Sequence, residues 1–282
     1  MDQTLKSLRT EIINTVNHMA DIYLLGVGTV GSELLDIIGK ESSQEITIRS
    51  VGSSKIMIIG NDAVNPITAM DDLNKLGIPF ELSKFLNTDG TKGTKQKIFI
   101  DCTASETIAK EYVNILDQGF SVVTANKIAN TLDQDYYYLI RETAKNNNVQ
   151  FRYETNVGAG LPIIYTLQGL IATGDKILSI EGVLSGTLSY LFNAFDGQKP
   201  FSSIVKDARA KGFTEPDPRE DLSGMDVARK ILILARETGS KLELKDISVE
   251  SLIPAELDPE LSVDRFLDRL AKYDELFQKR LE

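Results

Sequence analysis

Gly26-Val27-Gly28-Thr29-Val30-Gly31 is the stretch that decides the fold. It starts where the apolar run Ile22-Tyr23-Leu24-Leu25 stops, and it leads into Leu34, Leu35 and Ile38, which recur at helical spacing. A short apolar run broken by glycine reads as a buried strand, and the spacing beyond it as an amphipathic helix over residues 30–38. At such a joint G-x-G-x-x-G is the dinucleotide-binding fingerprint. The first glycine makes the tight turn, the second admits a pyrophosphate against the backbone, and the third lets helix and strand pack closely with the phosphates at the positive helix N-terminus. The same pattern without a strand, a helix and a following βαβ unit is a plain structural turn.

That setting extends outward from the glycines. Apolar strands are predicted at residues 46–51, 56–59, 98–100 and 122–123, with helical stretches at 104–116 and 133–145 between them. Continuous apolar strands alternating with helices imply an α/β, Rossmann-type, doubly wound parallel sheet covered on both faces. About twenty residues past the glycines, NAD binders place an acid on the ribose hydroxyl. Here the chain reads Arg49-Ser50-Val51-Gly52-Ser53-Ser54-Lys55, with no carboxylate. Arg49, Ser53 and Lys55 suit a 2′-phosphate, so NADP is expected over NAD, although all three could simply be solvated.

Composition narrows the class. The chain has 282 residues, 42% hydrophobic and 26% charged, enough for one large or two modest domains. A net charge of −10 opposes nucleic acid or an anionic membrane as the main partner. Cys102 is the single cysteine, so no internal disulfide can form, and with no run of membrane-span length a cytoplasmic protein is expected. His18 is the single histidine, read as a surface or linker residue; with so little His and Cys a transition-metal site is not expected.

Past Phe151-Arg152-Tyr153 the character changes. Asn156-Val157-Gly158-Ala159-Gly160-Leu161-Pro162 is glycine-rich, residues 177–184 look like a strand, and helices are expected up to Lys211, over 224–237 and over 262–281. The division expected is a helix or linker over 1–20 (helical spacing from Leu5 to Val16), a dinucleotide-binding domain over 21–155, and an α+β substrate-binding and dimerisation domain over 156–282.

Four segments are unusual enough to point to a family: Thr124-Ala125-Asn126-Lys127; Glu154-Thr155-Asn156 running into the glycine-rich stretch; Leu184-Ser185-Gly186-Thr187; and the run from Gly212-Phe213-Thr214-Glu215-Pro216-Asp217-Pro218 through Asp221 to Gly224-Met225-Asp226-Val227-Ala228-Arg229-Lys230. In order and spacing the chain resembles homoserine dehydrogenase, most of all the dehydrogenase half of bifunctional aspartokinase–homoserine dehydrogenases. The resemblance implies reversible reduction of L-aspartate 4-semialdehyde to L-homoserine with NAD(P)H, in threonine and methionine biosynthesis.

The residues bear on that chemistry independently. Asp226 and Lys230 are four apart in a helical stretch, which puts both charges on one face; spacing alone leaves room for an ordinary surface pair. The resemblance makes them catalytic, with Lys230 favoured as proton donor, Asp226 orienting it, and Lys127 polarising the carbonyl beside the nicotinamide. It places Glu215 and Asp221 on the substrate's ammonium and hydroxyl end. Thr103 and Ala104 approach the ribose and nicotinamide, and Gly26 to Gly31 carry the pyrophosphate. It also gives a Na⁺ or K⁺ loop built from the Glu154 side chain and the carbonyls of Val157, Ala159 and Leu161. A phosphorylating semialdehyde dehydrogenase, the rival reading, needs a Cys nucleophile with a His base, and Cys102 and His18 are poorly placed for it.

In the family the substrate domain runs on beyond the length seen here, and an aspartokinase portion precedes it in the bifunctional members. The expectation is therefore an excised portion of a longer chain that forms a homodimer or higher homo-oligomer. The alternative function is a nucleotide-binding, oligomerising fragment with weak or no catalysis.

Overall fold

The computed structural model describes residues 20–41, 46–60, 62–86 and 96–281. The expected helix over residues 5–16 and His18 lie outside the described residues. The chain forms two units: one runs through Lys176 and takes in Glu237–Glu243, and the other comprises Ile177–Arg236 and the residues from Leu244 onward.

The first unit follows the order β1 (Ala20–Leu25), α1 (Thr29–Glu41), β2 (Ile46–Gly52), β3 (Ile56–Ile59), α2 (Ala69–Leu76), β4 (Ile78–Pro79), α3 (Leu82–Phe85), β5 (Gln96–Asp101), α4 (Glu106–Ala109), α5 (Tyr112–Asp117), β6 (Phe120–Thr124), α6 (Gln134–Asn146), β7 (Phe151–Arg152) and α7 (Ile163–Ala172). Its sheet has the order β4-β3-β2-β1-β5-β6-β7. β1 pairs in parallel with β2 and β5, and β6 in parallel with β5 and β7. β3 runs antiparallel to β2, and β4 antiparallel to β3. Only Ser53-Ser54-Lys55 joins β2 to β3, too short a link for a parallel crossover, so a hairpin edges an otherwise parallel sheet.

All six residues of β1 are buried. Alternate side chains serve opposite faces, as a strand's period of two requires. Tyr23 and Leu25 join Phe99, Phe120, Ile140 and Ala144 in one core, while Ile22 and Leu24 join Leu34, Leu35, Ile98 and Ile100 in the other. The helical stretch expected over 104–116 is two short helices, α4 and α5; Ser105 caps the first through the Ile108 N–H.

Among its described residues the second unit has helices and connecting loops but no strand: α8 (Gly186–Ala194), α9 (Phe201–Ala210), α10 (Pro218–Leu222), α11 (Met225–Glu237, whose last residue belongs to the first unit), α12 (Val263–Leu270) and α13 (Asp274–Leu281). Leu191, Phe201, Ile204, Val205, Phe266, Leu270 and Phe277 form its core. The Asp274 carboxylate accepts the Ser202 N–H and hydroxyl, at 2.8 and 2.7 Å, and ties α13 to α9.

Residues 177–184 correct the expectation of a strand. They take no regular structure, with Leu178 and Val183 left 87% and 77% exposed. Alternating apolar character makes a strand only when a neighbouring strand accepts its backbone groups, and the second unit has none among the described residues.

The glycine turn is held by sterics. Gly26 sits at φ +97°, and a Cβ there would fall 2.6 Å from the Cys102 carbonyl carbon. A Cβ on Gly31 would stand 1.8 Å from the Gly26 carbonyl oxygen, whereas one on Gly28 meets nothing within 4 Å. Gly31→Ala is therefore expected to destabilise the protein by about 2 kcal/mol in urea unfolding, and Gly28→Ala to stay within about 0.5 kcal/mol. Equal midpoint shifts for the two variants would contradict this.

Candidate active site

Four chain turns meet at the carboxyl edge of the parallel strands, where ligands of such sheets bind. The Gly26 N–H donates to the Gly52 carbonyl at 2.8 Å, and the Cys102 N–H to the Leu25 carbonyl at 2.8 Å. The Ala125 N–H donates to the Asp101 carbonyl at 2.9 Å. Backbone bonds thus help to hold the loops carrying Gly26–Gly31, Ser53–Lys55, Thr103–Ala104 and Lys127 beside one another. Gly28 and Thr29 are exposed at the start of α1, with open space where a side chain on Gly28 would be. A helix N-terminus and bare backbone facing open space fit a pyrophosphate.

The three residues expected at the ribose end are placed differently from one another. Lys55 is exposed in the turn, and Ser53 shapes that turn, its hydroxyl oxygen accepting the Lys55 and Ile56 N–H groups, both at 3.2 Å. None of Ser53, Ser54 and Lys55, the residues of that turn, is a carboxylate. Arg49 departs from its expected role. It lies within β2, its Nε is 3.0 Å from the buried Asp21 Oδ1, and its Nη1 donates to the Asp62 carbonyl. A buried carboxylate needs a cation close by, and that requirement takes Arg49 away from the turn.

Of the residues expected near the nicotinamide, the Thr103 N–H donates to Asp101 Oδ1 at 2.7 Å, Ala104 is exposed, and Lys127 is half-buried just past β6. Burial, followed by the charge of Asp101, pushes the Cys102 thiol up to about 12. Such a thiol is a poor nucleophile at neutral pH, which disfavours the rival cysteine chemistry.

Glu154 has a different duty from the one expected. Only 4% exposed, it accepts the Ile164 N–H through Oε1 and the Tyr165 N–H through Oε2, each at 2.8 Å, and so caps α7. Burial raises its pKa, and these backbone donors oppose that shift. The Leu161 carbonyl accepts the Ile163 N–H at 2.9 Å. Gly158 and Ala159 both have positive φ, +85° and +53°, so the loop doubles back tightly on itself. Oxygen ligands for a cation are present, but two of the four expected already serve α7 and the turn before it.

In the second unit the expected residues come together. The Lys230 ammonium lies 2.7 Å from Asp226 Oδ2 and donates to the Leu184 carbonyl at 2.7 Å. Lys230 is largely buried and Asp226 half-exposed. Ser185 caps α8, and Thr187 donates from its hydroxyl to the Phe213 carbonyl at 2.8 Å. The Asp221 carboxylate accepts the Glu215 N–H at 2.8 Å, leaving Glu215 exposed at the bend. Asp217 instead caps α10, and its side chain grips that of Arg219, whose guanidinium holds its carboxyl below the usual range. An ammonium has three donors; Asp226 and Leu184 take two, and the third can serve a substrate oxygen.

Sequence reasoning missed two buried carboxylates. Asp101 binds Tyr112, Thr103 and Asn126. Glu237 accepts from Tyr137 at 3.0 Å, Tyr153 at 2.7 Å and Gln168 at 2.7 Å, and lies 3.3 Å from Arg141. An acid ending an otherwise apolar strand was the available signal for Asp101; Glu237, beside Arg236 at a helix end, offered none.

Comparison with known proteins agrees with these two half-sites. A family model described as "Homoserine dehydrogenase, NAD binding domain" matches residues 26–154. One described as "Homoserine dehydrogenase" matches residues 162–279. The chain is 42% identical over 268 residues to the chloroplastic bifunctional aspartokinase/homoserine dehydrogenase 2 of Arabidopsis thaliana, covering 92% of this chain and 29% of that protein. It is 40% identical over 269 residues to the bifunctional enzyme of Haemophilus influenzae, covering 93% and 33%. The chain thus spans about a third of the length of the curated relatives it matches. Among solved structures, a Candida auris protein of unknown function superposes with a TM-score of 0.82 at 33% identity, over 93% of this chain and 75% of that one. A hyperthermophilic archaeal homoserine dehydrogenase in complex with NADPH gives a TM-score of 0.66 at 25% identity, over 82% and 75%. With the glycine turn inside one matched region and the Asp226–Lys230 pair inside the other, the chain belongs to the homoserine dehydrogenase family.

Proposed function

We propose that the chain reduces L-aspartate 4-semialdehyde reversibly to L-homoserine with NADPH. The observation that carries this reading is the Lys230 ammonium held between Asp226 and the Leu184 carbonyl, in a chain with an open glycine cradle for a dinucleotide. A bound nicotinamide supplies the hydride to the aldehyde carbon. The protein must then supply a proton to the oxygen that becomes an alkoxide, and Lys230 provides it from its ammonium. Asp226, 2.7 Å away, keeps that lysine aimed, and Lys127 polarises the carbonyl. Glu215 and Asp221 hold the substrate ammonium. In the reverse direction neutral Lys230 accepts the hydroxyl proton.

Ser53 and Lys55 at the β2–β3 turn are read as the 2′-phosphate end, with Thr103 and Ala104 against the ribose and nicotinamide. A monovalent cation, if taken up, draws on the carbonyls of Val157 and Ala159, with Leu161 and the capping Glu154 completing its loop. The bifunctional names of the relatives support an aspartokinase domain in a longer chain, and a homodimer in a cytoplasmic setting is the reading for assembly and place; some of the relatives are chloroplastic. Among the described residues no helix is long and apolar enough to cross a membrane.

Lys230→Ala is expected to lower kcat about a hundredfold or more, with NADPH binding within about threefold of the parent. Near-parental turnover would remove Lys230 from its role. NADPH should exceed NADH in kcat/KM, and Lys55→Ala should cut that preference by about tenfold, the worth of one phosphate contact; an unchanged ratio would count against Lys55. Replacing Na⁺ and K⁺ by a bulky organic cation should lower kcat, and unchanged activity would dismiss the cation.

A further inference from the structure

Asp101 ends β5 with its side chain fully buried, yet it stands at the edge assigned to the cofactor and has no part in the chemistry above. Its Oδ1 accepts the Thr103 N–H at 2.7 Å. Its Oδ2 accepts the Tyr112 hydroxyl at 2.6 Å and Asn126 Nδ2 at 3.1 Å. Asn126 extends the connection on both sides: its amide also donates to the Ser105 carbonyl at 3.0 Å, and its Oδ1 accepts the Ile128 N–H at 3.0 Å. Thr124 lies within the same cluster, 2.6 Å from the Tyr112 hydroxyl, and its own hydroxyl oxygen accepts the Asn126 N–H at 2.9 Å.

One carboxylate therefore joins the loop carrying Thr103 and Ala104 to the segment in which Asn126 and Ile128 flank Lys127. Every partner of Asp101 donates, so the position calls for a group that only accepts, which among side chains of this size is an ionised carboxylate. Burial pushes this carboxyl up, and the hydrogen bonds from Tyr112, Thr103 and Asn126 oppose that push. Desolvating a charge in a site that apolar side chains could fill is costly, and a role in geometry accounts for it better than stability does.

We propose that Asp101 is a positioning residue, fixing Thr103 and Lys127 in one register against the nicotinamide end of the cofactor through its bonds to Thr103, Tyr112 and Asn126. This rests on the reading that this edge holds NADPH. The test is Asp101→Asn, which turns an NH₂ group towards partners that are themselves donors. Fluorescence titration should show NADPH affinity weakened about tenfold, the scale of one buried donor left without its acceptor. kcat should fall at least about tenfold with KM for the semialdehyde within about threefold. The primary isotope effect with NADPH deuterated at C4 should rise above the parent value, because hydride transfer then limits turnover more fully.

A merely structural role would lower the melting temperature and the active fraction, and leave affinity and isotope effect of the folded enzyme unchanged. The exchange Asp101→Asn with Asn126→Asp restores a donor facing an acceptor across that bond and should recover part of the lost affinity and kcat. If Asp101→Asn does not fold, Asn126→Ser removes the arm reaching Lys127, together with the bond to the Ser105 carbonyl, and should show the same pattern more weakly. Parental affinity, kcat and isotope effect in a folded variant would overturn the proposal. Should the parent bind NADPH without turning the semialdehyde over, the activity reading fails, while the affinity comparison still decides the role of Asp101.

Discussion

The approach of α1 to the end of β1 is the constraint on which the rest of the site depends. No side chain fits between Gly31 and the Gly26 carbonyl, so the helix starts directly over the end of the central strand. Its free N–H groups then face the same edge as the ends of β2, β5 and β6. Backbone bonds from Gly26 to Gly52 and from Cys102 to Leu25 bring the other loops up to it. Because those bonds are main-chain, the arrangement follows from the strand register, and the side chains of the loops stay available for recognition.

Among the described residues of the first unit several acid side chains are buried, and each has a stated occupation. Asp21 faces Arg49, Glu154 caps α7, Glu237 collects two tyrosines, a glutamine and an arginine, and Asp101 collects Thr103, Tyr112 and Asn126. A buried carboxylate that loses a partner leaves an uncompensated charge, so such clusters fix geometry more sharply than apolar packing, which tolerates small repacking. Lys230 and Asp226 differ: part of this pair meets solvent, as the role proposed for them needs.

The parallel sheet was legible because β1, β5 and β6 carry the apolar runs at residues 22–25, 98–100 and 122–123, and the glycine spacing is a steric requirement written directly in residue type. The Asp226–Lys230 pair was legible as an i,i+4 spacing, and its chemistry through the family motif. Residues 177–184 misled because strand pattern is a property of one segment, while strand formation needs a partner. Arg49 and Glu154 were read from their charge, and charge alone does not disclose that a buried Asp21 or the start of α7 lies within reach. The partners of Asp101 were hidden for the same reason: Tyr112 and Asn126 are 11 and 25 residues away from it, and only the fold brings them to its carboxylate.

The most direct measurement follows NADPH absorbance and homoserine formation together when the purified chain is given L-aspartate 4-semialdehyde, with NADPH binding titrated on the same sample. The expected result is one homoserine formed per NADPH oxidised over many turnovers. Saturable NADPH binding with no homoserine formed would contradict the central claim and leave the chain a nucleotide-binding module.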